Sequence, residues 1–229
     1  MNNWAKDFLN FLFPPECHIC GTSLAPHEKF VCSLCLNNLQ RTGFHRNKMN
    51  PMVERFAGKF PFDRATGLFF YSRDSSLSKL VQDMKYRNFP DIGNLLGEKA
   101  GEELFSTGFF LDIDYIVPVP MHFFKQLKRG YNQTERIAEG LSHATGIPWI
   151  RPMKMTRSHK SQTYMSQSER MENSKGIFRV TNPEIIKNKR ILLIDDICTT
   201  GSTLSEAAIT LWQQSDIKSL SLFCIGVTF

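Results

Sequence analysis

The sequence predicts an α/β fold, a parallel sheet flanked by helices, and three observations carry that prediction. Short apolar runs recur at residues 65–71, 115–120, 190–195 and 220–227. Segments with apolar residues at helical spacing lie between them. The later runs are nearly continuous in apolar residues rather than alternating, as strands covered on both faces are. At 229 residues and 41% hydrophobic, the chain can bury a sizeable core, and its Gly and Pro content is too ordinary for low complexity. It has no run of 18 apolar residues, which excludes a transmembrane helix. Its apolar start contains Asp7 and lacks a small-residue cleavage site, which argues against a secretory signal. A soluble, cytoplasmic protein is expected.

The elements follow in order. Residues 3–13 carry Trp4, Phe8 and Phe11 or Leu12 on one face and read as a short amphipathic helix, ended by Pro14-Pro15. Cys17, Cys20, Cys32 and Cys35 come next, spaced C-x2-C-x11-C-x2-C. Each pair puts two thiolates on one tight turn, and two such turns close a tetrahedron around Zn²⁺. Disulfides, disfavoured in a reducing compartment, and an iron–sulfur centre are the other chemistries this spacing admits. Four thiolates leave no open position, so a zinc here is structural. His18 and His27 read as bystanders. Residues 1–60 thus form a helix, a small zinc-ribbon-like module of four cysteines and a polar connector over 41–59, and residues 61–229 form the α/β domain.

Within that domain a strand is expected at 65–71. A helix carrying Leu77, Leu80, Val81 and Met84 follows, capped by Ser75 or Ser76. The next helix, 91–105, buries Ile92, Leu95, Leu96 and Leu104. Pro118 and Pro120 stop the run at 115–120. Asn132 to Glu135 reads as a capping box opening a helix through His143, which Gly146 ends. Short strands at 147–150 and 177–180 flank a polar loop, 154–175, of a length that is usually functional or disordered. A buried strand at 190–195, a helix at 202–214 and a strand at 220–227 complete the chain.

Net charge is +6, and residues 121–160, with eight cations against two acids, hold the whole excess. Such a segment suits a phosphorylated ligand or nucleic acid, or is a solvated basic face. Phe123, Phe124 and Tyr131 interleave with its charges, as stacking platforms or as core.

The most informative string is Ile191 to Thr203. An apolar strand runs into Asp195-Asp196, then into the turn Cys198-Thr199-Thr200-Gly201, then into a helix starting with Ser202 and Thr203. The turn places backbone N–H groups and hydroxyls at a helix N-terminus, which suits a phosphate. Two adjacent carboxylates suit a vicinal diol. The location, the carboxyl end of a parallel strand, is where such sheets bind ligands.

This string resembles the 5-phosphoribosyl-1-pyrophosphate (PRPP) signature of type I phosphoribosyltransferases. The resemblance implies that Asp195 and Asp196 hold the ribose hydroxyls. It implies that Thr199, Thr200, Gly201, Ser202 and Thr203 hold the 5′-phosphate, with Cys198 as a spacer in the same site. Val117-Pro118-Val119-Pro120 and Lys128-Arg129-Gly130-Tyr131-Asn132-Gln133 are similar to motifs of the ComF family. So are Arg157, Gln162, Arg170, Asn173 and Phe178, the upstream Lys85-Tyr86, and the amino-terminal cysteines. The similarity covers nearly the whole chain. Many members carry further cysteine pairs; residues 36–66 hold none, so one metal is expected.

The family resemblance implies PRPP bound with Mg²⁺ and phosphoribosyl transfer to an unidentified acceptor. Lys128 and Arg129 would neutralise the leaving pyrophosphate, and Val119 and Pro120 would line the ligand. The loop with Arg157, Gln162, Arg170 and Asn173 would close over the site. Glu169 and His159 are candidate bases between which nothing selects. Lys85 reads more readily as helix surface than as site. The same family implies an alternative: a non-catalytic factor that binds single-stranded DNA or competence proteins in natural transformation.

Overall fold

A computed structural model describes residues 14–156 and 176–229. The amphipathic helix expected over 3–13 lies outside these residues, as do Arg157, His159, Gln162, Glu169, Arg170 and Asn173.

Four strands form one fully parallel sheet. They are β1 (Arg64–Phe70), β2 (Tyr115–Pro118), β5 (Arg190–Cys198) and β6 (Ser219–Val227), in the order β1-β6-β5-β2. Alternate residues of β5 enter different cores. Leu192 and Ile194 join one cluster, and Ile191 and Leu193 the other. Both faces are therefore covered, which is why β5 and β6 read as nearly continuous apolar runs.

On the first face lie α3 (Ser76–Tyr86), α4 (Asp91–Phe105) and α6 (Gln133–Thr145). Ser75 caps α3, its side chain accepting from Ser78 N–H. Helices α4 and α6 touch backbone to backbone through Gly97 and Gly140, where any Cβ would strike a carbonyl of the partner helix. Cys17, Leu24, Val31 and Leu39 of the cysteine module belong to this same core. Each cysteine pair sits by a single antiparallel bridge, Glu16 with Ser23 and Lys29 with Val31, and α1 (Ser33–Asn37) follows the second. On the second face lie α2 (Pro51–Phe56), α8 (Ser202–Gln214) and an antiparallel pair, β3 (Met153–Met155) with β4 (Phe178–Val180).

Several expectations need correction. The connector over 41–59 contains α2, which buries Met52 and Phe56 completely. Its start signal is local: Asn50 caps Met52 and Val53 N–H groups, and Pro51 occupies the first turn. Residues 147–150 make one bridge, Trp149 to Ile116, rather than a strand, since Pro148 has no N–H to donate. The loop expected from 154 begins later, because Met153–Met155 pairs with β4. Asn132 does cap α6, but Glu135 turns away to a two-bonded pair with Arg151, so no reciprocal capping box forms. Strand β5 continues to Cys198, which places both acids inside its paired length rather than beyond it. The short helices α1, α5 (Phe123–Arg129) and α7 (Pro183–Ile186) were not expected. No described helix is long and apolar enough to cross a membrane.

Candidate ligand cleft and four-cysteine cluster

The carboxyl ends of β2 and β5 open into a cleft of about 290 Å³. Val119, Pro120, Lys125, Arg129, Gln133, Asp195, Asp196 and Thr203 line it, together with Lys85 and Tyr86 from the end of α3.

The two acids have different surroundings. Asp196 is buried, and its Oδ2 faces Lys85 Nζ at 2.6 Å and accepts from Gln133 Nε2 at 3.1 Å. Its Oδ1 accepts from Ile197 N–H at 2.6 Å. Burial works to lower the Lys85 pKa, but the Asp196 carboxylate, with Asp195 behind it, overrides burial and leaves it raised. Arg129 donates to Gln133 Oε1 and lies over the Tyr86 ring, so Lys85, Gln133 and Arg129 form one network around Asp196. Asp195 is half-buried and has no cation at hydrogen-bond range among the described residues. Burial first, and the adjacent Asp196 charge second, push its carboxyl well above the usual range. Lys85 is thus part of the cleft. The sequence placed it just after the apolar stripe of its helix, and only packing turns it towards Asp196.

Beside the acids, β5 ends and the turn from Thr199 leads into α8. Gly201 has φ +79°, the left-handed region glycine favours, and offers no side chain to cap the helix. Thr199, Thr200 and Ser202 are exposed there, and Thr203 lines both this turn and the main cleft. The 13-residue helix starts without a side-chain cap from Gly201, the Thr200 hydroxyl accepts from Ser202 N–H at 3.4 Å, and a helix N-terminus set among hydroxyls has the polarity a phosphate requires.

The turn rests on α2. Arg55 Nη1 donates to Thr199 O at 2.5 Å and to Cys198 O at 3.3 Å. Its Nη2 donates to Thr228 O at 2.5 Å, and its guanidinium lies 4.2 Å over the Phe229 ring. Phe56 packs under Gly201. Cys198 directs its side chain into the core, so only its backbone belongs to the turn. A hydrogen bond from the Cys224 thiol and the Arg55 guanidinium outweigh burial and bring the Cys198 thiol down to about 7. Lys128 is exposed and outside the cleft lining; Lys125 takes the place expected of it.

The four cysteine sulfurs lie within 4.8 Å of one another, Cys20 and Cys32 at 3.8 Å. A tetrahedral zinc with Zn–S near 2.3 Å needs sulfurs about 3.8 Å apart, so the residues fit that ion. The Thr22 hydroxyl pulls Cys20 down to about 6, while burial and the neighbouring sulfurs push Cys35 up. Among the described residues this is the only group of His, Cys, Asp and Glu that gathers so closely. His18 turns from the cluster to Asp83.

Residues 109–221 match the phosphoribosyl transferase domain family. The DNA utilization protein YhgH of Salmonella typhi is 26% identical over 229 residues, covering 93% of this chain and 96% of the relative. Competence protein F of Haemophilus influenzae is 36% identical over 138 residues, covering 57% of this chain and 59% of its own. Competence protein ComFC of Bacillus subtilis is 28% identical over 222 residues, with 94% and 86% coverage. Among solved structures, an allosteric regulatory enzyme of purine biosynthesis matches with TM-score 0.44 and 16% identity, over 63% of this chain and 30% of that one. An adenine phosphoribosyltransferase matches with TM-score 0.39 and 17% identity, over 62% and 73%.

Proposed function

Because the chain belongs to the ComF/YhgH family, with a phosphoribosyltransferase domain behind a four-cysteine cluster, we propose that it binds PRPP with Mg²⁺ and transfers the phosphoribosyl group to an acceptor. One observation carries this reading: the cleft with its pair of carboxylates, suited to a diol, adjoins the pocket at the helix start, suited to a phosphate, and the two share Asp195, Ile197 and Thr203. Lys85, Lys125 and Arg129 add the positive charge that a pyrophosphate needs.

In this reading Asp195 and Asp196 accept hydrogen bonds from the ribose hydroxyls, and the residues from Thr199 to Thr203 hold the 5′-phosphate. Mg²⁺, a hard ion that prefers phosphate and carboxylate oxygens, offsets the charge of the pyrophosphate when bound, and the carboxylates of this cleft suit it. The C1–O bond to pyrophosphate breaks as a bond from C1 to the acceptor forms, through an oxocarbenium-like state. Arg129 and Lys125 face the leaving group. Catalysis is then mainly positioning and charge stabilisation. The cysteine cluster, closed by four thiolates, holds a structural zinc.

Calorimetric titration with PRPP tests this. Binding that requires Mg²⁺ is the expected result, and absence of heat with and without Mg²⁺ overturns it.

A second reading has its own observation. Phe123, Phe124 and Leu127 of α5 are 66%, 71% and 70% exposed, beside Lys125, Lys128 and Arg129, with no acid in the helix. Exposed rings among cations suit the bases and phosphates of a single strand. Labelled oligonucleotide anisotropy checks it. The pair Phe124→Ala with Lys128→Ala is expected to weaken binding. It should also reduce the slope of log K against log salt by roughly 0.7, because one phosphate is no longer neutralised. No oligonucleotide affinity at low salt removes this reading.

A further inference from the structure

The first cysteine knuckle contacts two successive turns of α3, and the later one carries Lys85. His18, between Cys17 and Cys20, sets Nδ1 2.5 Å from Asp83 Oδ2 on α3. One turn earlier, Lys79 Nζ donates to Ile19 O at 2.8 Å. The His18 ring meets Phe89, just beyond α3, edge-on at 4.6 Å, and Phe30 of the module at 5.8 Å. Asp83 is 5% exposed, so the contact is a built one rather than a surface encounter.

Asp83 is also where α3 closes. Its carbonyl accepts from Arg87 N–H at 3.1 Å and from Phe89 N–H at 3.4 Å. Its carboxylate meets Arg87 Nη1 at 3.3 Å. On the other side, the Tyr131 hydroxyl donates to Met84 O. The last turn of a helix lacks intrahelical partners for its carbonyls and frays unless it is tied. Lys85 lies in this turn, so its reach to Asp196 depends on those ties. On the module side the ties are loop residues between the thiolates, and a metal on those thiolates would add four bonds that fix the loop beyond its core packing and backbone hydrogen bonds.

We propose that the metal-loaded cysteine module is a clamp on the last turn of α3: it holds Lys85 against Asp196, so that cation retention and PRPP affinity are linked. The linkage rests on the PRPP reading of the cleft; the clamp itself does not. His18 and Asp83 are its positioning residues. Linkage is reciprocal, so a cation that tightens PRPP binding must itself be held more tightly when PRPP is bound.

The test uses the full, zinc-loaded chain. Hydrogen exchange of peptides spanning 83–89 is compared before and after treatment with a chelator. Protection is expected to fall on metal removal, and unchanged protection overturns the clamp. Zinc transfer to a zinc-selective chromogenic chelator is then followed with and without PRPP and Mg²⁺. Zinc affinity is expected to rise roughly fivefold or more with PRPP bound, the lower range of allosteric coupling. PRPP that binds without changing it overturns the linkage. If the loaded protein binds no PRPP, the functional reading and the linkage fail together, and exchange alone decides the clamp. Asp83→Ala is expected to weaken PRPP by a similar factor with zinc content unchanged, and Asp83→Asn, which keeps an acceptor for His18, to restore most of it. In a double-mutant cycle with Lys85→Met the Asp83→Ala effect should vanish; full additivity would show that Asp83 does not act through Lys85.

Discussion

Asp195→Asn is expected to raise the melting temperature, and Asp196→Asn, one residue on, to lower it, while each weakens PRPP binding. The opposition follows from their neighbours. Asp195 is half-buried beside a second carboxylate, with its own pKa held well above the usual range by burial and by the Asp196 charge. Its folded form therefore keeps a proton that the unfolded chain releases near pH 4. The stability this provides is complete below about pH 4 and is lost as pH rises through the raised value. An asparagine cannot ionise and escapes that loss, so the variant gains on wild type across this window and not below it. A gain of a few degrees at neutral pH is the expected scale for relieving one functional strain. Asp196 is the opposite case. Its substitution leaves the Lys85 ammonium largely buried without its counter-charge. Removing one member of a buried pair costs about 3–5 kcal/mol, and an amide that still accepts from Gln133 falls at the lower end. For a chain of this size that is roughly 6–12 °C. Thermal melts at pH 4, 6 and 8 decide the matter. Equal destabilisation by both variants would mean that Asp195 ionises without strain, and the pH argument would fall.

PRPP affinity has the matching dependence. A protonated Asp195 offers a ribose diol one acceptor fewer, so affinity is expected to rise with pH through the same window in wild type. The Lys85 ammonium, kept charged by Asp196, does not titrate there.

What could be read from the sequence was local. The string from Ile191 to Thr203 needs only an apolar run, two acids, a glycine with positive φ and a helix start, and these sit within one short segment. The cysteine cluster was legible for the same reason, since C-x2-C is itself a turn geometry. Residues that reach the cleft from afar were not. Lys85 follows the stripe Leu77, Leu80, Val81 and Met84, and no periodicity says whether the next residue faces water or an acid far along the chain. Arg55 sat in a polar stretch whose helix signal, Asn50-Pro51, was outweighed by composition. His18 had Asp83 as its partner rather than a metal, a pairing across 65 positions. Lys128 and Arg129 adjoin in sequence, yet a helix separates neighbours by about 100°, so only Arg129 faces the cleft and Lys125, one turn from Arg129, joins it.

The polar stretch holds the basis of the second large effect. Arg55→Met is expected to weaken PRPP at least roughly tenfold, a loss of about 1.4 kcal/mol, although Arg55 lines neither the cleft nor the pocket at the turn. Its guanidinium gathers three carbonyls, of Cys198 and Thr199 at the end of β5 and of Thr228 just past β6. A fork of fixed donors can satisfy three acceptors at once, which a methionine cannot do and a lysine does less well. With Phe56 closing the underside of Gly201, these bonds hold the turn's carbonyls downward. The hydroxyl-bearing residues Thr199, Thr200 and Ser202 stay exposed. Without Arg55 the turn gains conformations, and phosphate binding must order it, a cost taken directly from affinity. Hydrogen bonds to a charged group contribute about 1.5–3 kcal/mol when buried. Partial exposure reduces this, so a stability loss of about 2 kcal/mol accompanies the binding defect. The two effects separate by temperature: at 10 °C the variant is folded and the affinity loss remains. Arg55→Lys should bind PRPP more weakly than wild type, because one ammonium does not replace the fork. An Arg55→Met protein that binds PRPP within twofold of wild type would show that the turn is ordered by β5 and α8 alone, and that α2 is only a cover for the core.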